Sequence, residues 1–278
     1  MSRNLPGGRL DWIDRWLRIR ETLSAPAKIV LGLTPIVLIF LAWGLMTAGS
    51  PEERWISPVI LPSPVEVVLS FHSLWFESEL SRSVTASALR VVGGFVAALA
   101  VVFPLGVLMG SFSKVQALFD PLAVFGSYLP IPTLVPLTMS LFGIGEMQKI
   151  MFLALAFVVF LLPAFVKALH EVDEVYLQTA QTLGATKWQL VRHVLLGVSM
   201  ARLYDSMRLG FGIGWTYIIL AEMVAADRGL GHIIIVAQRR GPREHIYLVL
   251  VVIVLIAFVT DKLWVKVGRS LFPYREGA

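Results

Sequence analysis

The sequence predicts an all-α integral membrane protein of about six transmembrane helices. Hydrophobic residues make up 56% of the 278 positions and charged residues only 15%, whereas soluble domains average about 25% charged residues. Several charge-free stretches reach the roughly 20 apolar residues that a membrane-crossing helix requires. The composition excludes a disordered chain and an ordinary water-soluble enzyme. The absence of cysteine excludes disulfides, thiolate metal sites and a cysteine nucleophile.

The limits of each span follow from the distances between charged residues. Four stretches are long enough on their own, and two are interrupted near one end by charges. The long charged side chains of the last stretch can reach the membrane interface. The six predicted spans are 29–49, 91–113, 121–145, 150–166, 209–226 and 246–265.

Residues 1–28 precede the first span and form a cytoplasmic segment in this interpretation, and 29–278 form one transmembrane domain. Within 9–20, the apolar residues Leu10, Ile13 and Leu17 share a helical face, with Trp16 beside them. This predicts an amphipathic helix lying on the membrane surface, with an ordinary soluble helix as the alternative. The first span is too long, and its leader too mixed in charge, for a cleaved signal peptide.

The distribution of basic residues predicts that both termini are cytoplasmic. With that orientation, inner segments hold 16 of the 24 Lys and Arg residues and outer segments hold 8, as the positive-inside rule requires. Arg239, Arg240 and Arg243 fall outside and oppose it. The longest cytoplasmic segment is then about 168–205, and 64–79 is predicted as a helix on the outer surface.

The cytoplasmic segment contains a helix–turn–helix pattern. Gly184 stands where the end of a helix requires left-handed backbone geometry. Thr186 and Gln189 have the spacing of a capping box at the start of the next helix. Two short helices joined by one tight turn form either a docking element for a soluble partner or a plain helical hairpin.

The same stretch resembles the EAA loop of bacterial ABC-importer permeases, which reads Glu-Ala-Ala, three residues, Gly, nine residues, Ile-x-Leu-Pro. Residues 178–180, Gly184 and 194–196 match that spacing. The chain differs at Gln178 and Val194, where the family has Glu and Ile, and at Gly197, where it has Pro. These differences concern a Glu-dependent contact rather than the loop itself.

Six further stretches occur in the order and spacing of the nitrate, sulfonate, taurine and bicarbonate permeases, from about residue 55 to the C-terminus. The chain is therefore identified as a member of that group. The stretches are Leu-Pro-Ser-Pro at 61–64, Leu-Pro-Ile-Pro at 129–132, Leu-Phe-Gly-Ile-Gly-Glu at 141–146, Gly-Ile-Gly-Trp at 212–215, Ala-Glu-Met at 221–223 and Asp-Arg-Gly-Leu-Gly at 227–231.

The resemblance implies the fold of a type I ABC-importer permease in the bacterial inner membrane. It implies a second permease copy, two cytoplasmic ATP-binding subunits and a periplasmic or extracellular substrate-binding protein as partners, with no nucleic acid. The chain itself is expected to bind no cofactor, and ATP and Mg²⁺ belong to the ATPase subunit. The sequence has no Gly-x4-Gly-Lys-Ser/Thr loop for nucleotide phosphates.

The resemblance also assigns residues and a substrate class. The coupling loop would contact the ATPase, and the substrate would be a small anion of the sulfonate/taurine, nitrate or bicarbonate class. Segments 142–145 and 226–231 look closer to the sulfonate/taurine branch. The predicted ATPase-coupling residues are Gln178, Thr179, Ala180, Leu183, Gly184, Ala185, Thr186 and Trp188.

Three prolines, Pro130, Pro132 and Pro136, interrupt the third span and predict a broken helix. Broken helices at membrane depth point to a substrate path, although an ordinary kink is the alternative. Glu222 is an ionisable residue at the edge of the fifth span, and such a residue is a candidate for a functional role. The other interpretation is a structural salt bridge to Arg228 or Arg90. The predicted pathway residues are Ser127, Tyr128, Pro130, Pro132, Thr133, Thr138, Phe142, Trp215, Tyr217 and Glu222.

Two other function classes fit the sequence less well than a permease. A stand-alone secondary transporter or channel would need more intramembrane charges and helices than the chain offers. An integral membrane enzyme would need catalytic residues, and neither a Ser/His/Asp arrangement nor metal-ligand spacing occurs.

Glycines 106, 110, 210, 212 and 214 are predicted to allow close helix contacts, within the chain or between two copies.

Overall fold

The computed structural model describes residues 21–50, 54–224 and 226–274, together with Leu17, Ile19 and Glu52. In this part of the chain all regular structure is helical and no strand occurs. The surface helix predicted for 9–20 lies outside the described residues, apart from Leu17 and Ile19. The all-α prediction is confirmed.

The chain divides into two compact units, 1–64 and 65–278. The first contains helix α1 (Ala25–Met46), which has a proline in its first turn, and none of its residues is buried. The indole N–H of Trp43 donates to the carbonyl of Pro62 over 2.8 Å. This hydrogen bond holds the segment after the helix against its last turn.

The second unit holds the remaining helices and begins within α2. A 3₁₀ turn at Ile131–Thr133 precedes α6, and a π-helical stretch at Leu190–Leu195 joins α9 to α10. The helices are α2 (Pro64–Leu69), α3 (Phe71–Phe76), α4 (Leu80–Ser111), α5 (Ser113–Ser127), α6 (Leu134–Phe142), α7 (Glu146–His170), α8 (Glu174–Thr182), α9 (Lys187–Gln189), α10 (Leu196–Met223), α11 (Leu230–Arg240) and α12 (Arg243–Leu271).

The core of the second unit lies where α4, α7 and α10 pack together. Phe95 of α4 makes edge-to-face contacts with Phe157 of α7 and Phe211 of α10, with ring centroids 5.3 and 5.1 Å apart. All three side chains are buried. Aromatic pairs in this geometry stabilise a core beyond the area that they bury, so the three helices share one packed centre.

The predicted close helix contacts occur within the chain, against α7. A Cβ on Gly106 would lie 2.9 Å from Phe165 Cβ, and one on Gly110 would lie 2.7 Å from Leu169 Cβ. Gly210 and Gly214 of α10 likewise face Leu161 and Phe157 of α7. Side chains of α7 therefore fill the space beside these four glycines, while a Cβ on Gly212 would have no neighbour within 4 Å.

The third predicted span is broken, as its prolines indicate. Helix α5 ends at Ser127, the 3₁₀ turn follows Pro130, and the two arms are bent by 93°. Proline supplies no backbone donor and its ring obstructs the preceding turn. The bend thus falls where Pro130 and Pro132 lack the backbone N–H groups that would continue the helix.

Four described helices are long and apolar enough to cross a membrane, and a fifth span exists if the bent pair counts as one. The six-span count stays a prediction, because α10, which contains the fifth predicted span, is not among these helices. Helix α10 begins at Leu196 and includes charged residues that lie outside the predicted span. Arg208 of α10 forms two hydrogen bonds with Asp261 of α12, at 2.6 and 3.0 Å. This ion pair satisfies both charges inside the helix pair.

Candidate functional site

The turn between α8 and α9 has the geometry that the sequence predicts. Gly184 has φ +84°, a conformation that costs an L side chain about 1–2 kcal/mol. The N–H of Ala185 donates to the carbonyl of Ala180 over 3.0 Å, and the N–H of Gly184 donates to that of Gln181 over 2.9 Å. This pair of hydrogen bonds is a Schellman motif, so the predicted helix stop is confirmed.

The predicted capping box is also confirmed. The N–H of Gln189 donates to Thr186 Oγ1 over 3.4 Å, and the N–H of Thr186 donates to Gln189 Oε1 over 2.7 Å. At the other end of the element, Asp173 Oδ1 accepts from the N–H of Val175 over 3.0 Å and caps α8. Both helices of the hairpin therefore have satisfied N-termini.

An apolar cluster fixes the base of this hairpin, which we call the knob (residues 174–189). Val107 of α4, Leu169 of α7, Val172 just after α7, and Val191 and Leu195 of the π-helical stretch pack together. The tip is different, because Leu183 is 84% and Trp188 is 67% exposed. The knob thus combines a rigid base with an apolar tip that nothing in the described chain covers.

The structure brings the eight predicted coupling residues together on the knob. Ala180 and Ala185 are half-buried and the other six are exposed. Trp188 makes an edge-to-face contact with Phe112, with ring centroids 6.4 Å apart, which orients the indole. An exposed tryptophan held in one orientation is a side chain suited to filling a pocket on a partner.

The bent segment between α5 and α6 exposes five of the predicted pathway residues: Ser127, Tyr128, Pro130, Pro132 and Thr133. The carbonyl of Pro130 accepts from the N–H and from the hydroxyl of Thr133, at 2.9 and 2.6 Å. Backbone groups released by a break need such partners at membrane depth. At Pro130 the side chain of Thr133 supplies one.

Two other predicted pathway residues, Thr138 and Trp215, lie inside the packed chain. Thr138 is fully buried and accepts from Gln148 Nε2 over 3.1 Å. Trp215 is buried, and its indole N–H has no hydrogen-bond partner among the described residues. Phe142 is 38% exposed and Tyr217 stacks on Phe160. One chain therefore does not bring all ten residues to one surface.

Glu222, the tenth, belongs to a buried charge cluster centred on Arg90. Arg90 Nη1 donates to Glu222 Oε1 and to the carbonyl of Arg228, both over 2.7 Å. Its Nε and Nη2 donate to the two oxygens of Glu146, both over 2.6 Å. Of the two sequence interpretations, the salt bridge to Arg90 is the one that the structure contains.

The Glu222 carboxylate is satisfied from three directions. Ser87 Oγ donates to it at 2.7 and 2.9 Å, and the N–H of Gly231 donates over 2.9 Å. A Cβ on Gly229, at φ +132°, would collide with this carboxylate. The glycines after Arg228 therefore let the chain close over Glu222.

Sequence reasoning missed most of this cluster. Arg90, Ser87, Glu146 and Lys149 were not site candidates, although Arg90 stands at the edge of an apolar span and Glu146 follows Gly-Ile-Gly. In the described part of the chain, no group of His, Asp or Glu side chains could hold a metal ion.

Comparison with known proteins places these features in a family. Residues 102–263 match the family described as binding-protein-dependent transport system inner membrane component. This match covers more than half of the chain. The chain belongs to that family. It is therefore a permease of a binding-protein-dependent ABC importer.

Two curated relatives of this permease have named systems. The taurine transport system permease protein TauC of Escherichia coli K12 is 29% identical, over 99% of this chain and 97% of that protein. The putative aliphatic sulfonates transport permease protein SsuC of Bacillus subtilis 168 is 25% identical, over 80% of each chain. Both similarities include the knob and the bent segment.

The fold is shared with a solved ABC importer. A chain of the MetNI methionine ABC transporter, in an inward-facing conformation, superposes with a TM-score of 0.64 at 21% identity. The match covers 72% of this permease and 98% of that chain. At this identity the similarity establishes the fold, and it confirms the predicted ABC-importer permease architecture.

Proposed function

We propose that two copies of this permease form the membrane path of an ATP-driven importer for a small anion of the sulfonate/taurine class. Two cytoplasmic ATPase subunits, which bind ATP and Mg²⁺, and an external binding protein complete the assembly. The observation that carries the proposal is the knob, with its rigid base and exposed apolar tip, on a chain of the importer family.

The knob supports the ATPase contact through its construction. Its turn and caps hydrogen-bond the backbone N–H groups of residues 183–186, and its base is packed into α4 and α7. A movement of the ATPase subunit is thus passed to the transmembrane helices rather than absorbed in a loop. Leu183 and Trp188 would lie in an apolar groove of the ATPase.

The bent segment supports the path. The exposed hydroxyl of Tyr128 is a hydrogen-bond donor of the kind that an anion requires. The hydroxyls of Ser127 and Thr133 donate to the carbonyls of Val124 and Pro130 in this structure, and each would have to rotate to reach an anion. Two copies facing each other across a two-fold axis would bring two such segments to one channel. Glu222 takes no part in substrate contact in this arrangement, since Arg90 and Ser87 occupy its carboxylate.

The substrate class rests on the named relatives and on the polarity of the bent segment. Taurine and the aliphatic sulfonates share a sulfonate group, which is a strong acceptor and a permanent anion. Competition for uptake among taurine, methanesulfonate and nitrate would test this class.

The assembly is tested by purifying the tagged permease from native membranes and identifying the ATPase that accompanies it. We expect Trp188→Ala to lose the ATPase while the permease still inserts. Tyr274→Ala is the matched control, because Tyr274 is a similarly exposed aromatic (68% against 67%) outside the knob. An ATPase that stays bound to both variants would contradict the role of the knob, and a permease that purifies without any ATPase would contradict the proposal.

A further inference from the structure

The carboxylate of Glu146 lies where three positive features converge. Arg90 Nε and Nη2 hold its two oxygens over 2.6 Å each. Lys149 Nζ lies 3.6 Å from Oε1. Glu146 is also the first residue of α7, and the N-terminus of a helix carries a partial positive charge. The position that this carboxylate fills is therefore a site built for an oxyanion.

The two cations are buried and their carboxylate is not. The side chains of Arg90 and Lys149 are 5% and 3% exposed, whereas that of Glu146 is 63% exposed. Glu222, at 0%, is the permanent partner of Arg90, because Ser87 and Gly231 also hold it. Glu146 is the exposed member of these four groups, and its departure would leave two buried cations with one buried carboxylate.

We infer that Arg90 and Lys149 form a binding site for a small soluble oxyanion, such as a sulfonate, carboxylate or nitrate, and that Glu146 occupies this site in the present structure. The planar fork of an arginine recognises paired oxygens through two parallel hydrogen bonds. Sulfonate, carboxylate and nitrate all present such a pair. Chloride does not.

The surroundings leave room for the exchange. An open cavity of about 680 Å³ adjoins the pair and is lined by Ala86, Leu89, Ile150, Asp227 and Arg228 in addition to Arg90 and Glu146. Gly145, which precedes Glu146, has no neighbour within 4 Å of a Cβ position. Glu146 can turn into this space, while Arg90 Nη1 stays on Glu222 and on the carbonyl of Arg228.

The site itself follows from the cluster alone, and only its use during uptake rests on the proposed function. The cluster lies at the end of α7 remote from the knob, which is the outer end in the predicted orientation. An anion that displaces Glu146 there would be bound by Arg90 before it reaches the bent segment.

The test is recovery of stability by added anions. The permease is purified in a maltoside detergent without phosphate, and the unfolding temperature of Glu146→Ala is followed against sodium methanesulfonate and sodium chloride. We expect a lower unfolding temperature than the native chain at low salt, and a saturable recovery that needs about a tenfold lower concentration of methanesulfonate than of chloride. This readout requires no ATPase and no binding protein, so its failure is distinct from failure of the proposed function.

Three further proteins make the result specific. Glu79→Ala removes a carboxylate that pairs with the exposed Arg82 and Arg228, and it should show no saturable recovery. The double variant Arg90→Lys with Glu146→Ala lacks the fork and should lose the preference for methanesulfonate. Glu146→Gln, which keeps the side-chain size, should behave like Glu146→Ala and replaces it if that variant does not purify.

A lipid phosphate could offer the same chemistry, and one arm separates it from a soluble anion. If phosphatidylglycerol bilayers restore Glu146→Ala and no soluble oxyanion does, the inference is overturned. It is equally overturned if neither Glu146 variant responds to methanesulfonate more strongly than to chloride, or if the double variant responds as the single one does.

Discussion

Arg90 Nη1 lies 2.7 Å from Glu222 Oε1, and these side chains are 5% and 0% exposed. Three stretches of the sequence meet at this pair: 141–146, and the neighbouring 221–223 and 227–231. Each contributes a specific group, namely the Glu146 carboxylate, the Glu222 carboxylate, and the Arg228 carbonyl with the Gly231 N–H. The stretches by which this chain resembles the permease group therefore include the groups that close the chain around Arg90.

Removing the cation from this pair should cost more than removing both charges. Arg90→Met leaves a buried carboxylate without a positive partner, and we expect a loss of about 3–5 kcal/mol in the free energy of unfolding. Adding Glu222→Gln removes the stranded charge, so the double variant should be more stable than Arg90→Met alone. Denaturant unfolding in detergent measures both.

The matched control is Arg82→Met, which breaks an exposed pair with Glu79 and should change stability by less than about 1 kcal/mol. A double variant no more stable than Arg90→Met would show that the Arg90–Glu222 charge pairing does not dominate the cluster.

Gly231 and Gly212 have opposite surroundings, and the effect of adding a Cβ at each can be measured.

 A Cβ on Gly231 would lie 2.6 Å from the carbonyl oxygen of Ile219 and 2.8 Å from Glu222 Cβ, whereas Gly212 has no neighbour within 4 Å. Gly231→Ala should therefore lose about 1–3 kcal/mol of stability through overpacking. Gly212→Ala should gain about 0.5–1 kcal/mol, because alanine favours a helix interior. Thermal unfolding of both variants should give shifts of opposite sign, and shifts of the same sign would contradict the packing described here.

The turn of the knob should be sensitive to a β-branched side chain. Gly184→Val forces valine to φ +84°, which is unfavourable for L residues, and this should displace Leu183 and Trp188. We expect uptake and substrate-stimulated ATP hydrolysis to fall while the permease still inserts. Gly197→Val is the control, since Gly197 lies in α10 with open surroundings. Normal uptake by Gly184→Val would show that the knob does not couple the two subunits.

Filling the bent segment should block the proposed path. Thr133→Trp adds a bulky ring at an exposed position between α5 and α6, and we expect uptake to stop while the ATPase still co-purifies. Thr34→Trp is the control, because Thr34 is also exposed and its hydroxyl also bonds a backbone carbonyl, that of Val30. Uptake that survives Thr133→Trp would move the path away from this segment.

The elements that local sequence rules govern could be predicted residue by residue. The left-handed Gly184, the capping box of Thr186 and Gln189 and the break at Pro130 all depend on groups within a few positions of each other. Such features do not require knowledge of the tertiary fold. The helices that they delimit are found at the expected places.

Apart from the Arg90–Glu222 salt bridge, which is one of the two interpretations of Glu222, the charge cluster could not be predicted, because it depends on long-range contacts. Arg90 was treated as the boundary of the second span, yet α4 begins ten residues earlier, at Leu80. Likewise, α10 begins thirteen residues before the predicted span, and Arg208, which precedes that span, lies within the helix and pairs with Asp261. The length of a charge-free stretch locates a span, but the extent of the helix depends also on the partners of the charged residues that flank the stretch.

The distances along the chain between Arg90 and its two partners set an order of events during synthesis. Glu146 follows Arg90 by 56 residues and Glu222 follows it by 132. At roughly 5–20 residues per second, the ribosome completes Glu222 about ten seconds after Arg90. Of these two partners, Glu146 is made first, and Glu222 follows it by 76 residues. The exposed carboxylate is thus present in the growing chain before the buried one, which exists only when α10 has been made.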